Sequence, residues 1–316
     1  MRTRIAFAAA LALAAAGCAT PQPSEIEGIM AEADKLPDTP GSGPYTALTE
    51  LDPDLEGYVL YRPRDLAPFA SGKLGLFVWG NGACAADGTS ARQHLAEIAS
   101  HGYLVIAPGG WKSGPNAREP RDPPRAPGSP FETPTTATDL AHALDWAIAE
   151  SGRGGSRYLG LIDPEAIALG GFSCGGIQAL RLADDPRVDT LVIQNSGIFI
   201  DQPPGGAGGE MAMSKDQLEA IHTPVLYLLG GESDIAYANG TDDFARIAHV
   251  PAMMVNLPVG HGGTYHEPNG GKAAAIVVDW LEWHLRGDAE SKVAFDCPDG
   301  TWCRDSQVTI GRRNFP

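Results

Sequence analysis

Short apolar runs alternate with amphipathic helical patterns along most of this 316-residue chain, and this alternation restricts the fold more than any other feature. The apolar runs predict strands over residues 57–62, 74–79, 103–108, 166–170, 190–194, 225–229 and 253–257. Helical periodicity predicts helices near 89–101, 136–150, 175–184, 214–221, 241–249 and 272–286. The alternation is typical of an α/β fold, a mostly parallel sheet with helices on both faces. Because ligands of such sheets bind at the carboxyl ends of the strands, the residues after each run are the candidates for chemistry.

The strand predicted at 166–170 runs into the hexapeptide GFSCGG, residues 171–176, and then into a helical pattern. This is G-x-S-x-G between a strand and a helix, the setting in which a nucleophilic serine sits on a sharp turn. Small residues are needed there because the turn brings the strand and helix backbones close together. We therefore predict Ser173 as a nucleophile.

A serine hydroxyl is a weak nucleophile until an oriented base removes its proton. Downstream of Ser173, the strand at 225–229 is followed by Asp234, and the strand at 253–257 is followed by His261. All three residues follow strands and occur in the chain order Ser, Asp, His. We expect them to converge at one sheet edge as nucleophile, orienting acid and general base.

Two neighbouring residues are alternatives for the acid and the base. Glu232 lies shortly before Asp234, and His266 lies shortly after His261 in a loop-like segment. A metal site built from His261, His266 and Glu267 is not expected, because no further cluster of ligands completes the coordination.

Cleavage of an acyl group also needs N–H donors directed at the developing oxyanion. One candidate is the N–H of Cys174, directly after the nucleophile. The other is Asn81, in the glycine-rich sequence WGNGAC at residues 79–84. A simple turn is the alternative for this segment.

Aromatic residues near these strand ends are candidates for an apolar substrate wall. Trp79, Trp111 and Phe172 could contact the acyl or aryl part of a substrate. Packing in the core is the alternative for these side chains.

Four cysteines downstream of the leader are candidates for disulfides. Cys297 and Cys303 bracket a turn-rich segment that could close a small loop. Cys84 lies in the glycine-rich loop and Cys174 beside the nucleophile, so a disulfide between them would fix the two oxyanion donors relative to each other. Free thiols are the alternative for both pairs.

The first residues have the pattern of an export signal. Basic MRTR is followed by an apolar stretch over 5–16 and a processing site, which predicts a signal segment over 1–17. The sequence before Cys18 resembles the bacterial lipoprotein cleavage box, in which this cysteine is acylated. Because Ala15 stands where that box usually has Leu, ordinary secretory cleavage is the alternative. Either route exports the protein, to the cell envelope or to the exterior.

We expect residues 18–44 to form a tether or N-terminal arm, 45–290 the catalytic domain and 291–316 a C-terminal tail. The net charge of −16 disfavours nucleic acid as a partner and favours uncharged substrates. Membrane contact is expected only through a lipid on Cys18, and we expect the chain to be a monomer.

Four short segments together resemble those of a known superfamily: WGNG at 79–82, GFSCGG at 171–176, ESD at 232–234 and GHGG at 260–263. Over residues 55–286 the chain resembles the α/β-hydrolases, and it is most similar to their dienelactone-hydrolase and cutinase-like polyester-hydrolase branch. The resemblance implies the α/β-hydrolase fold, a serine nucleophile, an acyl-enzyme intermediate and no cofactor. Dienelactone hydrolases use a cysteine nucleophile, whereas Ser173 occupies this position here, which disfavours lactone hydrolysis. The fold does not fix the substrate.

The sequence therefore predicts a serine hydrolase that cleaves a carboxylic ester. A peptidase on the same scaffold is one alternative, because the same residues cleave amides. A non-catalytic binding protein is the other. The proline-rich stretch at 114–134 and the segment at 198–213 are candidates for a substrate wall and a cap, with plain loops as the alternative.

Overall fold

The computed structural model describes residues 31–123, 132–201 and 209–315. The expected signal segment (1–17) and the candidate lipid attachment site Cys18 lie outside the described residues. The same holds for part of the proline-rich stretch and of the candidate cap. Among the helices of the described chain, none is both long enough and apolar enough to cross a membrane.

A nine-stranded sheet forms the centre of the molecule, in the order β1-β2-β4-β3-β5-β6-β7-β8-β9. The strands are β1 (Ala47–Glu50), β2 (Tyr58–Pro63), β3 (Leu74–Gly80), β4 (Tyr103–Pro108), β5 (Ile162–Phe172), β6 (Thr190–Gln194), β7 (Val225–Leu229), β8 (Ala252–Asn256) and β9 (Thr309–Arg313). Strands β3 to β8 pair in parallel, whereas β1, β2 and β9 join antiparallel at the two ends. The predicted mostly parallel α/β sheet is confirmed, and each of the predicted apolar runs corresponds to one of the strands β2 to β8.

Helices cover both faces of this sheet. They are α1 (Arg92–Ser100), α2 (Ala137–Gly152), α3 (Cys174–Arg181), α4 (Tyr237–Arg246), α5 (Gly271–Arg286), α6 (Ala289–Ala294) and α7 (Thr301–Arg304). Strand β3 is buried throughout, and its side chains alternate between two cores. Phe77 and Trp79 pack in the core that includes α1 and α5, whereas Leu76 and Val78 pack in the core that includes α2 and α3.

Two predicted helices differ from those in the structure. The segment predicted at 214–221 is a 3₁₀ helix over Lys215–Ala220, which ends shortly before Pro224. Proline disfavours helical geometry in the residue before it, so this segment stays short. The helix predicted at 241–249 begins earlier, at Tyr237, and ends at Arg246.

The described part of the N-terminal arm, residues 31–44, is docked on α1. Arg92 is nearly buried and pairs with Asp38 at 2.8 Å. Its guanidinium also donates hydrogen bonds to the carbonyl oxygens of Ala33 and Leu36, at 2.7 and 2.8 Å. Residues 31–44 are therefore part of the packed domain and not a free tether.

The C-terminal segment also belongs to the domain. Strand β9 extends the sheet beyond β8, and Cys297 forms a disulfide with Cys303 across a Cα–Cα distance of 5.4 Å. The neighbouring side chains Phe295 and Trp302 are buried in the same core as α5. The disulfide prediction is confirmed here, and the described residues 291–315 pack against the domain.

Candidate active site

Ser173 occupies the turn between β5 and α3, at the carboxyl edge of the sheet. Its backbone angles are φ 54° and ψ −118°, a region that costs a non-glycine residue about 1–3 kcal/mol. Hydrogen bonds hold the turn: the Ser173 N–H donates to the carbonyl of Gln194 at 3.0 Å, and Ser196 Oγ donates to the carbonyl of Ser173 at 2.6 Å. The turn leaves the Ser173 side chain half-buried at the start of α3.

The first turn of α3 is in backbone contact with the end of β3. A Cβ added to Gly175 would lie 2.0 Å from the carbonyl oxygen of Gly80 and 2.7 Å from the nitrogen of Asn81. No side chain fits in that space, so glycine is required at this position. This contact places the glycine-rich loop beside the turn that carries Ser173.

The structure brings the three predicted side chains into one line. The hydroxyl oxygen of Ser173 lies 3.0 Å from His261 Nε2, and His261 Nδ1 lies 2.6 Å from Asp234 Oδ1. A carboxylate only accepts hydrogen bonds, so the proton of His261 is on Nδ1 and Nε2 is free to accept the Ser173 proton. The ring of His261 also packs on Phe172, with 5.1 Å between the ring centroids.

Asp234 is buried, with its side chain fully shielded from solvent. Besides the bond from His261, it accepts hydrogen bonds from the backbone N–H groups of Gly230 and Ala236, each at 2.9 Å. Burial by itself raises the pKa of the Asp234 carboxyl. The hydrogen bonds from His261, Ala236 and Gly230 outweigh that effect and hold the pKa below its ordinary value. The carboxylate is therefore ionised and able to orient the imidazole.

Asn195 is part of this site, although the sequence patterns did not point to it. It follows β6 and adopts a left-handed backbone conformation, with φ 44°. Its side-chain amide donates to Asp234 Oδ2 at 2.8 Å and to the carbonyl of Gly260 at 3.2 Å. Its oxygen accepts a hydrogen bond from the hydroxyl of Tyr265. The sequence signal that could have identified Asn195 is its position after a strand, at the same edge as Ser173.

The backbone N–H groups of Cys174 and Asn81, which the sequence predicts as oxyanion donors, have no hydrogen-bond partner among the described residues. The side chain of Asn81 is occupied, because its amide donates to the carbonyls of Ala85 and Pro108 at 2.9 and 2.7 Å. Any oxyanion contact by Asn81 therefore involves its backbone N–H.

A disulfide joins the two segments that carry these N–H groups. Cys84 and Cys174 are bonded across a Cα–Cα distance of 5.3 Å, as predicted, and both side chains are buried. Gln178 of α3 reinforces this contact by donating to the carbonyl of Thr135 at 2.7 Å, and Thr135 in turn donates to the carbonyl of Cys84. The glycine-rich loop is therefore fixed to α3 by covalent and hydrogen bonds.

The two tryptophans proposed as substrate walls are buried. Trp79 is wholly inaccessible to solvent and packs against the rings of His94 and Tyr265 in the core. Trp111 is 6% exposed and is covered by the guanidinium of Arg118, 4.5 Å from its ring centroid. Trp79 cannot contact a substrate, because its side chain lies on the same buried face of β3 as that of Phe77. Phe172 remains half-buried beside His261.

The alternative acid and base lie apart from this line. Glu232 is exposed on the loop after β7. His266 lies in a different environment, where burial and the charges of Arg92 and Arg121 lower the pKa of its imidazole.

Large apolar side chains are exposed on three loops that follow parallel strands of the sheet. Ile200 follows β6, Ile235 follows Asp234 and Val259 precedes His261, with exposed fractions of 52%, 65% and 45%. Each of these loops leaves the carboxyl edge of the sheet, the edge at which Ser173 also lies.

Part of the predicted cap also lies at this edge. Arg181 of α3 donates to the carbonyls of Gly209 and Ala212 at 2.7 and 2.8 Å. The sulfur of Met211 lies 3.3 Å from the sulfur of Cys174, which directly follows Ser173. Residues 209–213 therefore pack beside the turn that carries Ser173, whereas 202–208 lie outside the described residues.

Within the described ranges, no group of three His, Cys, Asp or Glu side chains is arranged to hold a metal ion. The two disulfides fit an oxidising compartment outside the cytoplasm. The chain matches no model of a known protein family and no curated protein sequence.

Proposed function

We propose that this protein is a serine hydrolase of the α/β-hydrolase fold that cleaves a carboxylic ester through an acyl-enzyme intermediate. The observation that carries the proposal is the hydrogen-bonded line from Ser173 through His261 to Asp234, with distances of 3.0 and 2.6 Å. Three loops remote in sequence have to converge to form such a line, and each residue has the chemistry that its position requires.

In the proposed reaction, Ser173 Oγ attacks the ester carbonyl carbon while His261 Nε2 takes its proton. Collapse of the tetrahedral intermediate breaks the bond to the alcohol oxygen, and His261 returns the proton to that leaving group. Water, activated by the same histidine, then hydrolyses the acyl-enzyme and releases the acid. The ionised carboxylate of Asp234 stabilises the imidazolium that forms in each half-reaction.

The oxyanion of each tetrahedral intermediate is proposed to accept hydrogen bonds from the N–H groups of Cys174 and Asn81. Loss of one such donor typically lowers kcat by about 10²–10³-fold. The Cys84–Cys174 disulfide supports this role, because it restrains the two donors before substrate binds. These steps use only side chains, backbone amides and water.

The substrate class that fits best is an uncharged ester with an apolar acyl or aryl part. Exposed aliphatic side chains on the loops that follow β6, β7 and β8, namely Ile200, Ile235 and Val259, favour such groups. The net charge of −16 disfavours anionic substrates and nucleic acid. Cleavage of peptides by the same residues is the second candidate, and a non-catalytic binding protein is the third.

The proposed location is outside the cytoplasm, after removal of residues 1–17. Acylation of Cys18 would attach the protein to the cell envelope, whereas ordinary secretory cleavage would release it.

The proposal is tested by turnover of a panel of p-nitrophenyl esters and of chromogenic peptides with the wild-type protein, Ser173→Ala and His261→Ala. We expect ester hydrolysis by the wild type, loss of nearly all of it in both variants, and no peptide cleavage. Peptide cleavage that depends on Ser173 would favour the peptidase. Absence of turnover on both panels would contradict the enzyme proposal.

A further inference from the structure

Asn195 connects the loops that carry the acid and the base. Its side-chain amide has two N–H bonds, and they go to different loops: one to Asp234 Oδ2 after β7, the other to the carbonyl of Gly260 after β8. Gly260 directly precedes His261. A single side chain on the loop after β6 therefore holds the acid and the residue next to the base in a fixed relation.

The direction of each hydrogen bond in this region is determined by chemistry. The Asp234 carboxylate only accepts, so Asn195 must present its N–H₂ group to it. The amide oxygen of Asn195 then faces Tyr265, whose hydroxyl must donate. The hydrogen bonds run from Tyr265 through Asn195 to Asp234. The bond that the Asn195 oxygen accepts polarises the amide and makes its N–H group a stronger donor to Asp234.

Both side chains are placed so that they cannot easily move away. Asn195 is 2% exposed and Tyr265 is 1% exposed. The ring centroid of Tyr265 lies 4.8 Å from that of Phe172 and 5.3 Å from that of His94. The left-handed conformation of Asn195 is one that asparagine tolerates better than most residues.

We propose that Asn195 and Tyr265 are positioning residues for the ester hydrolysis, a role that rests on the proposed function. Asn195 orients the Asp234 carboxylate toward His261 and ties the loop of the base to the loop of the acid. Tyr265 fixes the orientation of the Asn195 amide. Neither side chain contacts the reacting atoms.

The charges around this pair support the assignment. Burial, together with the negative charge of Asp234, raises the pKa of Tyr265 well above its ordinary value, so its hydroxyl stays protonated and remains a donor. The titratable side chains that face the pair are Asp234, His261 beyond it, and His94 against the Tyr265 ring. Burial lowers the pKa of His94 to about 3, so that ring is neutral.

The test uses two variants with matched controls. Asn195→Gly removes the side-chain amide, and glycine adopts the left-handed backbone conformation of this position without strain. Asn314→Gly is its control, because Asn314 also has a positive φ, 56°, and also donates its amide to a backbone carbonyl, that of Val250. Tyr265→Phe removes only the hydroxyl. Tyr103→Phe is its control. Tyr103 is equally buried, but it lies at the amino end of β4 and donates to Glu282 of α5.

We expect kcat for a p-nitrophenyl ester to fall about 100-fold in Asn195→Gly and about tenfold in Tyr265→Phe, with KM within about twofold of the wild type. The acid limb of the kcat/KM–pH profile is expected to move to higher pH in both. Asn195→Gly removes one donor from Asp234 directly, whereas Tyr265→Phe leaves the Asn195 amide free to turn away from Asp234. In both variants more of the carboxylate's charge acts on the protonated imidazole and stabilises it. Asn314→Gly and Tyr103→Phe should keep the wild-type kcat and pH profile.

Wild-type kcat and an unshifted acid limb in folded Tyr265→Phe would overturn the proposal, whether or not Asn195→Gly folds. A fall in kcat without a shift of the acid limb would indicate a structural role and would also overturn it. Inactivity of the wild type toward every ester, without labelling of Ser173 by a fluorophosphonate, is a different result. It would reject the proposed function itself.

Discussion

Removal of the Cys84–Cys174 disulfide is expected to affect stability and catalysis together. The cysteines are 90 residues apart in sequence, and closure of a loop of that length in the unfolded chain corresponds to about 4–5 kcal/mol. The double variant Cys84→Ala/Cys174→Ala should lose that much free energy of unfolding. It should also lose about tenfold in kcat, because the two N–H donors are no longer restrained relative to each other.

The second disulfide is the matched control. Cys297 and Cys303 are six residues apart, a loop worth about 2 kcal/mol, and they lie far along the chain from the oxyanion segments. Urea unfolding and ester turnover should be measured for both double alanine variants. Equal losses of unfolding free energy would show that loop length does not set the stabilisation by the disulfides. Wild-type kcat in Cys84→Ala/Cys174→Ala would show that the Cys84–Cys174 bond does not position the two N–H groups.

Three further changes test separate parts of the site and core. Asp234→Asn should lower kcat about 10³–10⁴-fold with little change in KM on a p-nitrophenyl ester, because the amide favours the wrong tautomer of His261. Burial lowers the pKa of His94 to about 3 in the folded protein, from 6.5 in the unfolded chain. Below pH 6.5 the unfolded chain therefore binds a proton that the folded protein does not, and the folded protein loses stability as the pH falls toward 3. Between pH 7.5 and 5.0 the wild type should therefore lose about 2 kcal/mol more unfolding free energy in urea than His94→Gln. Gly175→Ala should lower the unfolding free energy by roughly 1–3 kcal/mol, since its Cβ would meet the Gly80 carbonyl oxygen at 2.0 Å.

Each of these predictions can fail in a defined way. Gly152→Ala is the control for Gly175→Ala, because nothing lies within 4 Å of the added Cβ, and it should be at least as stable as the wild type. A tolerated Gly175→Ala would show that the backbones of β3 and α3 can separate. Equal pH slopes for wild type and His94→Gln would mean that His94 is not held neutral. Near-normal kcat in Asp234→Asn would remove the acid from the mechanism.

The strands that carry Ser173, Asp234 and His261 could be predicted because they are buried on both faces and read as continuous apolar runs. The edge strands β1 and β9 could not. Strand β9 has the sequence TIGRR and pairs only with β8, so most of its residues remain partly exposed and carry no apolar pattern.

Side-chain partners within the site were harder to predict than the positions of the strands. Asn195 stands in the sequence QNSG, which is typical of a turn, and nothing local reveals that its amide meets Asp234. Trp79 was misplaced for a different reason. It lies two residues after Phe77 in β3, and that spacing puts both on one buried face, a signal that was present in the sequence.

Activation of the Ser173 hydroxyl is best measured by locating the residue that a fluorophosphonate modifies covalently. The protein would be incubated with the probe at neutral pH, and the adduct located by mass spectrometry of peptides. We expect stoichiometric labelling of Ser173, slow labelling in Asp234→Asn and none in Ser173→Ala. An unlabelled Ser173 in folded wild-type protein, or a label on another residue that persists in Ser173→Ala, would contradict it.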